Sequence, residues 1–430
     1  MAITYGALHD KLVARGHNVT VVSPRLNNCD HGETNLYAGQ PVILCTWSNI
    51  TMFKRLFEAN DVVVTPDETQ VPLFCFLAHW TNTPLLLNMH TCAFFICGMA
   101  AALLAPARAN PAKRSNFRMV LEGGSLAARW LAAPIMDTCL WIFSYLAPLT
   151  YTTSPSYRDV LVKRTFRVCG VFSPRIKLAV FEKPPRSHDD VVAARKWLIG
   201  NEVPFKPKTL LIFAGRWSHE KRINLLTEAV PRDCVLAIVG DGPRSQAVNI
   251  ARLHDPERGI VVHPGMVDQE RLAVLYRASD FLVSASAFET LGMTVAEAHL
   301  CGTPVIVQAA PGFTTQVIEG ENGFLIDFAA PDAVDKVMAC IEAKPSRARV
   351  LQTTKKRWDE GMPNLEDVVE KLAETTRDDW TCVKVPLPIY LVLEVAYTLL
   401  YLVSSWPFVI FKGYNINKKV DARTRDKKLR

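Results

Sequence analysis

Four side chains have types and spacings suited to holding a charged, hydroxyl-rich molecule. Glu289 and Glu297 stand eight residues apart in "FLVSASAFETLGMTVAEAHLCGTPVI" (281–306). Eight residues is just over two helical turns, so with Glu289 in the loop before a helix and Glu297 on the helix itself, both carboxylates can serve one bound molecule. Gly292 lies between them, at a helix start whose free backbone N–H groups suit an anion such as a phosphate. On these residues alone a solvated acidic helix is an equal alternative. Upstream, "AGRWSHEK" supplies Arg216 and Lys221 beside Gly215, and "GDGP" (240–243) supplies Gly240 and Gly242. Taken singly each is weak, since a basic pair is usually a solvated helix start and "GDGP" lacks the full dinucleotide fingerprint.

Their placement on the elements strengthens them. In the second half of the chain, apolar runs read as strands at 208–215, 234–242, 259–265, 280–286, 303–308 and 322–328, with helical stretches between. Strands alternating with helices imply parallel sheets covered on both faces, whose ligands sit at the carboxyl ends of the strands. The Arg216/Lys221, Gly240/Gly242 and Glu289/Glu297 groups each follow one of these strands. Coming at successive strand ends of one sheet, they point to a phosphate and ribose site. The first half reads the same way, with strands at 41–45, 61–66, 83–90 and 149–155, and Pro, Lys and Arg crowd 173–207 as a linker would. The chain opens on an amphipathic helix, a stop at Gly16 and a strand at 19–23. A parallel α/β domain usually opens on a strand and a glycine turn, so the first strand is expected to be missing.

Composition excludes some classes. At 430 residues and 49% hydrophobic, the chain can bury two cores of ordinary size. Its net charge of +7 is concentrated at the end: 412–430 holds eight basic residues against Asp421 and Asp426, a net +6 that leaves the preceding 411 residues near +1. A nearly neutral body argues against nucleic acid as a partner. The 11 cysteines form no C-x-x-C pair, which fits scattered buried thiols in a reducing compartment. No signal or transit segment is visible at the start.

Taken together, "GR" then "EK", "GDGP", "FETLGMTVAEA" and "GTPVI" resemble the donor domain of the family 4 retaining glycosyltransferases. The likeness is strong over about 208–345 and collinear but weaker from 5 to 170. It implies the GT-B fold: α/β, two doubly wound Rossmann-like domains facing each other across a cleft. The matching layout is an acceptor-side domain at 1–172, a linker at 173–207, a donor domain at 208–345, C-terminal helices at 346–384 and a membrane-associating segment at 385–430. By texture and its hydrophobic extension the chain is most similar to the sulfoquinovosyltransferase of plant and algal sulfolipid synthesis, which implies a UDP-linked donor and a chloroplast location.

The resemblance also assigns roles. Arg216 and Lys221 would hold the diphosphate, with Gly215, Gly240 and Gly242 in the adjoining turns. Glu289 would contact sugar hydroxyls and Glu297 the ribose. The N–H groups near Thr290, Leu291 and Gly292 would face donor oxygens. His90, at a strand end in "NMHT", matches the family's active-site histidine. No D-x-D motif occurs, so the expectation is a nucleotide sugar as co-substrate with no metal and no other cofactor. Retention is assigned in this family to same-face attack, the departing phosphate taking the acceptor's proton. The glycine-rich first loop that meets the acceptor and a clear G-V-D in the linker are absent, which leaves acceptor binding open.

Residues 385–411 form a 27-residue run with one charge, Glu394, enough to span a bilayer of about 30 Å. Its aromatic residues and the basic tail behind it fit anchoring at a membrane interface, with a lipid as the acceptor. The alternative is a helix packed back on the first domain. A shorter apolar run at 92–107 could line a lipid entrance. Two other functions stay open: sugar transfer to a different acceptor, mannosyl or glucosyl, and a non-catalytic binding protein on a degenerate GT-B fold.

Overall fold

The structure is a computed structural model describing residues 2–24, 34–37, 40–45, 50–66, 71–89, 138–172, 178–185, 187–242, 244–359, 363–375, 386–393 and 395. His90, the apolar run at 92–107, and all of 385–430 except 386–393 and 395 lie outside those residues.

The strands are β1 (Val21–Pro24), β2 (Thr34–Tyr37), β3 (Gln40–Cys45), β4 (Val63–Pro66), β5 (Leu85–Met89), β6 (Leu149–Thr152), β7 (Gly170–Val171), β8 (Thr209–Arg216), β9 (Cys234–Asp241), β10 (Ile260–Pro264), β11 (Phe281–Ser284), β12 (Val305–Gln308) and β13 (Gly323–Ile326). They form three sheets, of order β1-β3-β2, β4-β5-β6-β7 and β10-β9-β8-β11-β12-β13. The small sheet pairs β1 with β3 in parallel and β2 with β3 antiparallel. The chain divides into two compact units, one of Met1–Asn49, Tyr151–Arg164 and Cys169–Glu374, the other of Ile50–Thr150, Thr165–Val168 and Thr375–Arg430.

In the first unit the six-stranded sheet is parallel throughout. Its strands alternate between two cores. Leu210, Ile212 and Ala214 of β8 and Val235, Ala237 and Val239 of β9 pack into one. Leu211 and Phe213, with Leu236 and Ile238, pack into the other. A strand with both faces buried must be apolar at every position, so these runs stand out in the sequence. The order begins at β8, runs outward to β10, then restarts on the far side at β11. That is the Rossmann strand order, and its switch point lies between β8 and β11, where such sheets bind ligands.

The stretch 173–207, expected as a linker, contributes helices Leu178–Glu182 and His188–Ile199 to this unit. Ser187 caps the longer helix by accepting from the Asp190 N–H at 3.1 Å, and Gly200, at φ +73°, ends it. Phe181, Ala194 and Leu198 join the core of the sheet. Caps and buried side chains decide the structure here over the Pro- and Lys-rich composition. Two further segments dock on the same unit. Helix Ala2–Ala14 buries Leu8 and Leu12; its Lys11 pairs with Glu366 (3.0 Å), and Arg15, just past its end, with Glu370 (2.6 Å), both of helix Leu365–Ala373. Helix Pro155–Lys163 packs on helix Pro311–Gln316 through the Ser156 hydroxyl, which lies 2.8 Å from that of Thr315.

The second unit pairs β4 and β5 in parallel over a core that includes Phe53, Phe57, Phe74 and Leu77. Among the described residues no helix is long and apolar enough to cross a membrane.

Candidate functional site

The loops leaving β8 and β11 lie beside each other at the switch point. Strand β8 ends in Gly215 and Arg216, and a 3-10 turn, His219–Lys221, follows. Strand β11 ends at Ser284, and residues 285–292 lead to helix Met293–Leu300. The Ala287 N–H donates to the Glu220 carbonyl at 2.9 Å, tying the two loops together. The Lys221 ammonium then reaches across to donate to the Glu289 carboxylate, with both side chains four-fifths buried. Arg216 is largely exposed and donates to Glu220 at 3.1 Å. Burial pushes the Glu220 carboxyl up, but bonds from the Ser218 hydroxyl and a backbone N–H, with the charges of Arg216 and Lys221, outweigh it and hold its pKa below the ordinary value.

The glycines of "GDG" serve close packing between strand ends. A Cβ on Gly240 would stand 2.0 Å from the Gly215 carbonyl oxygen, and one on Gly242 would stand 2.2 Å from that of Trp217. Only glycine lets β8 and β9 run so close at their carboxyl ends, and the Trp217 N–H donates to the Asp241 carbonyl at 2.7 Å there.

Gly292 is the N-cap of helix Met293–Leu300, at φ +81°, a left-handed conformation natural only to glycine. A Cβ there would meet the Phe313 ring at 2.5 Å. The segment before it is gripped on two sides. The Thr290 carbonyl accepts from the Ser154 hydroxyl, and the Gly312 N–H donates to the Glu289 carbonyl at 2.7 Å. The Gln316 amide donates to the carbonyls of Leu291 and, at 3.0 Å, Gly292.

Glu297 lies on the second turn of that helix, 9% exposed, and accepts from the Tyr276 hydroxyl at 3.1 Å. Burial pushes its carboxyl up to about 7, the Tyr276 bond pulling the other way. The helix starts at Met293, so about one turn of it lies between Glu297 and the loop that carries Glu289, and two carboxylates in different settings share one helix start: one paired with a cation, the other buried and raised toward the physiological range.

Of the expected site residues, Gly215, Arg216, Lys221, Gly240, Gly242, Glu289, Thr290, Leu291, Gly292 and Glu297 all fall at the ends of β8 and β9, in the turns that follow them, and on the loop and helix after β11. Sequence reasoning passed over Glu220, Tyr276 and Gln316. Glu220 stood inside "AGRWSHEK" and could have been found there; the other two contact the site from 21 and 25 residues away, with no local spacing to mark them.

Residues 197–357 match the family described as Glycosyl transferases group 1. The chain is 31% identical over 212 residues to a D-inositol 3-phosphate glycosyltransferase of Xylanimonas cellulosilytica, over 46% of this chain and 50% of that one. It is 31% identical over 181 residues to an alpha-monoglucosyldiacylglycerol synthase of Streptococcus pneumoniae, over 40% of this chain and 39% of that one. The match thus spans half or less of the length of these curated relatives. Among solved structures, Anabaena Alr3699/HepE in complex with UDP superposes with a TM-score of 0.54 at 16% identity, over 78% of this chain and 85% of that one. At such identity the likeness is one of fold, and with the parallel α/β sheets it gives the GT-B fold.

Proposed function

We propose that the chain is a retaining glycosyltransferase that moves a sugar from a UDP-linked donor to a membrane lipid. The observation that carries the transfer is the Lys221–Glu289 pair beside Arg216, set at the switch point of the β8–β13 sheet. In this reading Arg216 and Lys221 bind the diphosphate and stabilise the charge that grows on it as the glycosidic bond breaks. Lys221 is held in place by Glu289, whose second oxygen is available to sugar hydroxyls. Glu297, fixed by Tyr276, accepts from the ribose hydroxyls, as a carboxylate with several acceptor sites can. The acceptor attacks on the face the diphosphate leaves, and the departing phosphate takes its proton. No protein nucleophile and no metal is needed in this reading, because Lys221, held by Glu289, and the exposed Arg216 supply the positive charge. His90 keeps the role the family resemblance implies, that of the active-site histidine.

The lipid half of the proposal rests on the apolar run at 385–411 with its basic tail, and on likeness to a relative named for a glucosyl diacylglycerol. Sulfoquinovose transfer to diacylglycerol is its finest form, and a chloroplast membrane is the location that goes with that form. The test is nucleotide release from the full chain given UDP-glucose, UDP-sulfoquinovose or GDP-mannose, with and without diacylglycerol in vesicles. Lipid-dependent release of UDP is expected. No release above the protein-free rate from any donor would leave a binding protein on this fold.

A further inference from the structure

The helix start at Gly292 is aimed by a side chain from another element. Gln316 ends the short helix Pro311–Gln316, and its amide Nε2 donates to the carbonyls of Leu291 and Gly292, the second at 3.0 Å, with the Gly312 carbonyl at 3.3 Å. The side chain is 5% exposed. Its Oε1 is buried without a hydrogen-bond partner among the described residues. A buried acceptor left unpaired costs stability, so the residue is badly placed if its task is only to fill space.

In a trans peptide the N–H lies antiparallel to the C=O of the same unit. Drawing the Leu291 carbonyl toward Gln316 therefore turns the Gly292 N–H away from helix Pro311–Gln316, while the Gly292 carbonyl is shared between Gln316 and the Val295 (3.1 Å) and Ala296 (3.4 Å) N–H groups of its own helix, so that Gln316 reinforces the direction the helix already gives the Met293 N–H. Neither N–H has a backbone acceptor among the described residues. They are the first two donors of the eight-residue helix Met293–Leu300. The Gly312 N–H bond to the Glu289 carbonyl, at 2.7 Å, fixes the other end of the same segment, so its peptide planes have little freedom left.

We propose that Gln316 is a positioning residue for donor binding: by clamping two carbonyls, it presents the Gly292 and Met293 N–H groups to the diphosphate of the nucleotide sugar. The inference rests on the donor-site reading above. It predicts a split between the parts of the donor, since these N–H groups meet phosphate oxygens and not the nucleoside.

The experiment is calorimetry on the full chain with UDP and with uridine, in wild type, Gln316→Leu and Gln316→Glu. Gln316→Leu keeps the volume and removes the clamp. Its UDP affinity is expected to fall about tenfold or more, the scale of one hydrogen bond to a charged group, with uridine affinity unchanged. Gln316→Glu cannot donate when ionised but donates one O–H when protonated. Its UDP affinity relative to wild type is therefore expected to be low at neutral pH and to recover as the pH falls, a reversal that a damaged fold does not give. Equal UDP affinity in wild type and Gln316→Leu, or a parallel fall for UDP and uridine without recovery in Gln316→Glu, overturns the positioning role and leaves the donor site standing. A wild-type chain that binds neither UDP nor GDP overturns the donor site, and this role with it.

Discussion

Lys221 and Glu289, 68 residues apart in the chain, form an ion pair that bridges the loops leaving β8 and β11. The pair sets the reach of the site. Lys221 is anchored by the carboxylate, while Arg216, five residues before it, stays largely exposed beside Glu220. In the proposed donor site a diphosphate would meet one cation held by Glu289 and one that is exposed.

That arrangement makes Lys221 the more costly loss. Lys221→Ala is expected to lower turnover by at least about a hundredfold, the usual scale for removing one charge-stabilising group. It also leaves Glu289 part-buried without its cation, so donor affinity drops as well. Arg216→Ala should lose turnover on a similar scale while its melting temperature stays at the wild-type value, because an exposed i,i+4 ion pair contributes little to stability. Steady-state rates and thermal melts on both variants check this. Near wild-type turnover in both would remove the phosphate assignment.

Glu297 carries a pH dependence whose sign follows from burial. Its folded pKa is raised to about 7, above the ordinary carboxylate value. Its contribution to stability is then present below the ordinary value and lost as pH rises through about 7, a change of roughly 3 kcal/mol. Glu297→Gln never ionises, so its melting temperature is expected to gain on wild type between about pH 5 and pH 8. Donor binding should move the opposite way, because ribose hydroxyls are better held by the ionised form: wild-type donor KM falls as pH rises through about 7, and Glu297→Gln has a raised, pH-independent KM. Unchanged nucleotide affinity in Glu297→Gln would take this residue out of the site.

Gly292→Ala tests the helix start itself. The substitution places a methyl group 2.5 Å from the Phe313 ring, at a backbone φ of +81°. The left-handed conformation alone costs about 1 kcal/mol for a residue with a side chain, and the clash adds to it. The expected result is a lower melting temperature together with a loss of UDP affinity, since Phe313 and Gln316 must shift as one element. A melt and a titration equal to wild type would mean that the segment relaxes freely and is not held as described.

The donor sheet was legible because β8 and β9 bury both faces, so "LLIFA" and "VLAIV" are apolar at every position. Strands β2 and β7 were not. The first is a four-residue hairpin arm, "TNLY", and the second only Gly170–Val171, too short for any periodicity. In 173–207, the Ser187 cap and Gly200 stop were present but were outweighed by the Pro and Lys around them. Lys221, Glu289 and Glu297 were found because their spacing is local to two loops and a helix. Tyr276 and Gln316 act through contacts made only once the sheet has folded, when helix Gln269–Ala278 and helix Pro311–Gln316 come to pack against helix Met293–Leu300.

The membrane is the remaining test, and it decides the acceptor class. At the start of the 385–411 run, the helix through 387–393 buries Tyr390, whose ring lies 5.8 Å from that of Phe76. Around it Leu387, Ile389, Leu391, Val392 and Val395 are exposed. Large apolar side chains exposed together suit an apolar partner, and in the proposed reading the net +6 of 412–430 would favour an anionic bilayer. Each basic side chain near such a surface adds roughly 1 kcal/mol. The full chain is therefore expected to float with vesicles rich in anionic lipid, less with neutral ones, and less as salt rises. A chain ending at Trp380 should stay behind in solution, keep its UDP affinity and lose most transfer to a bilayer lipid. Aggregation of the shortened chain would instead mean that the run packs on the second unit beyond Tyr390. Full chain left unbound by anionic vesicles at low salt would contradict the anchor, and with it the choice of a lipid over a soluble acceptor.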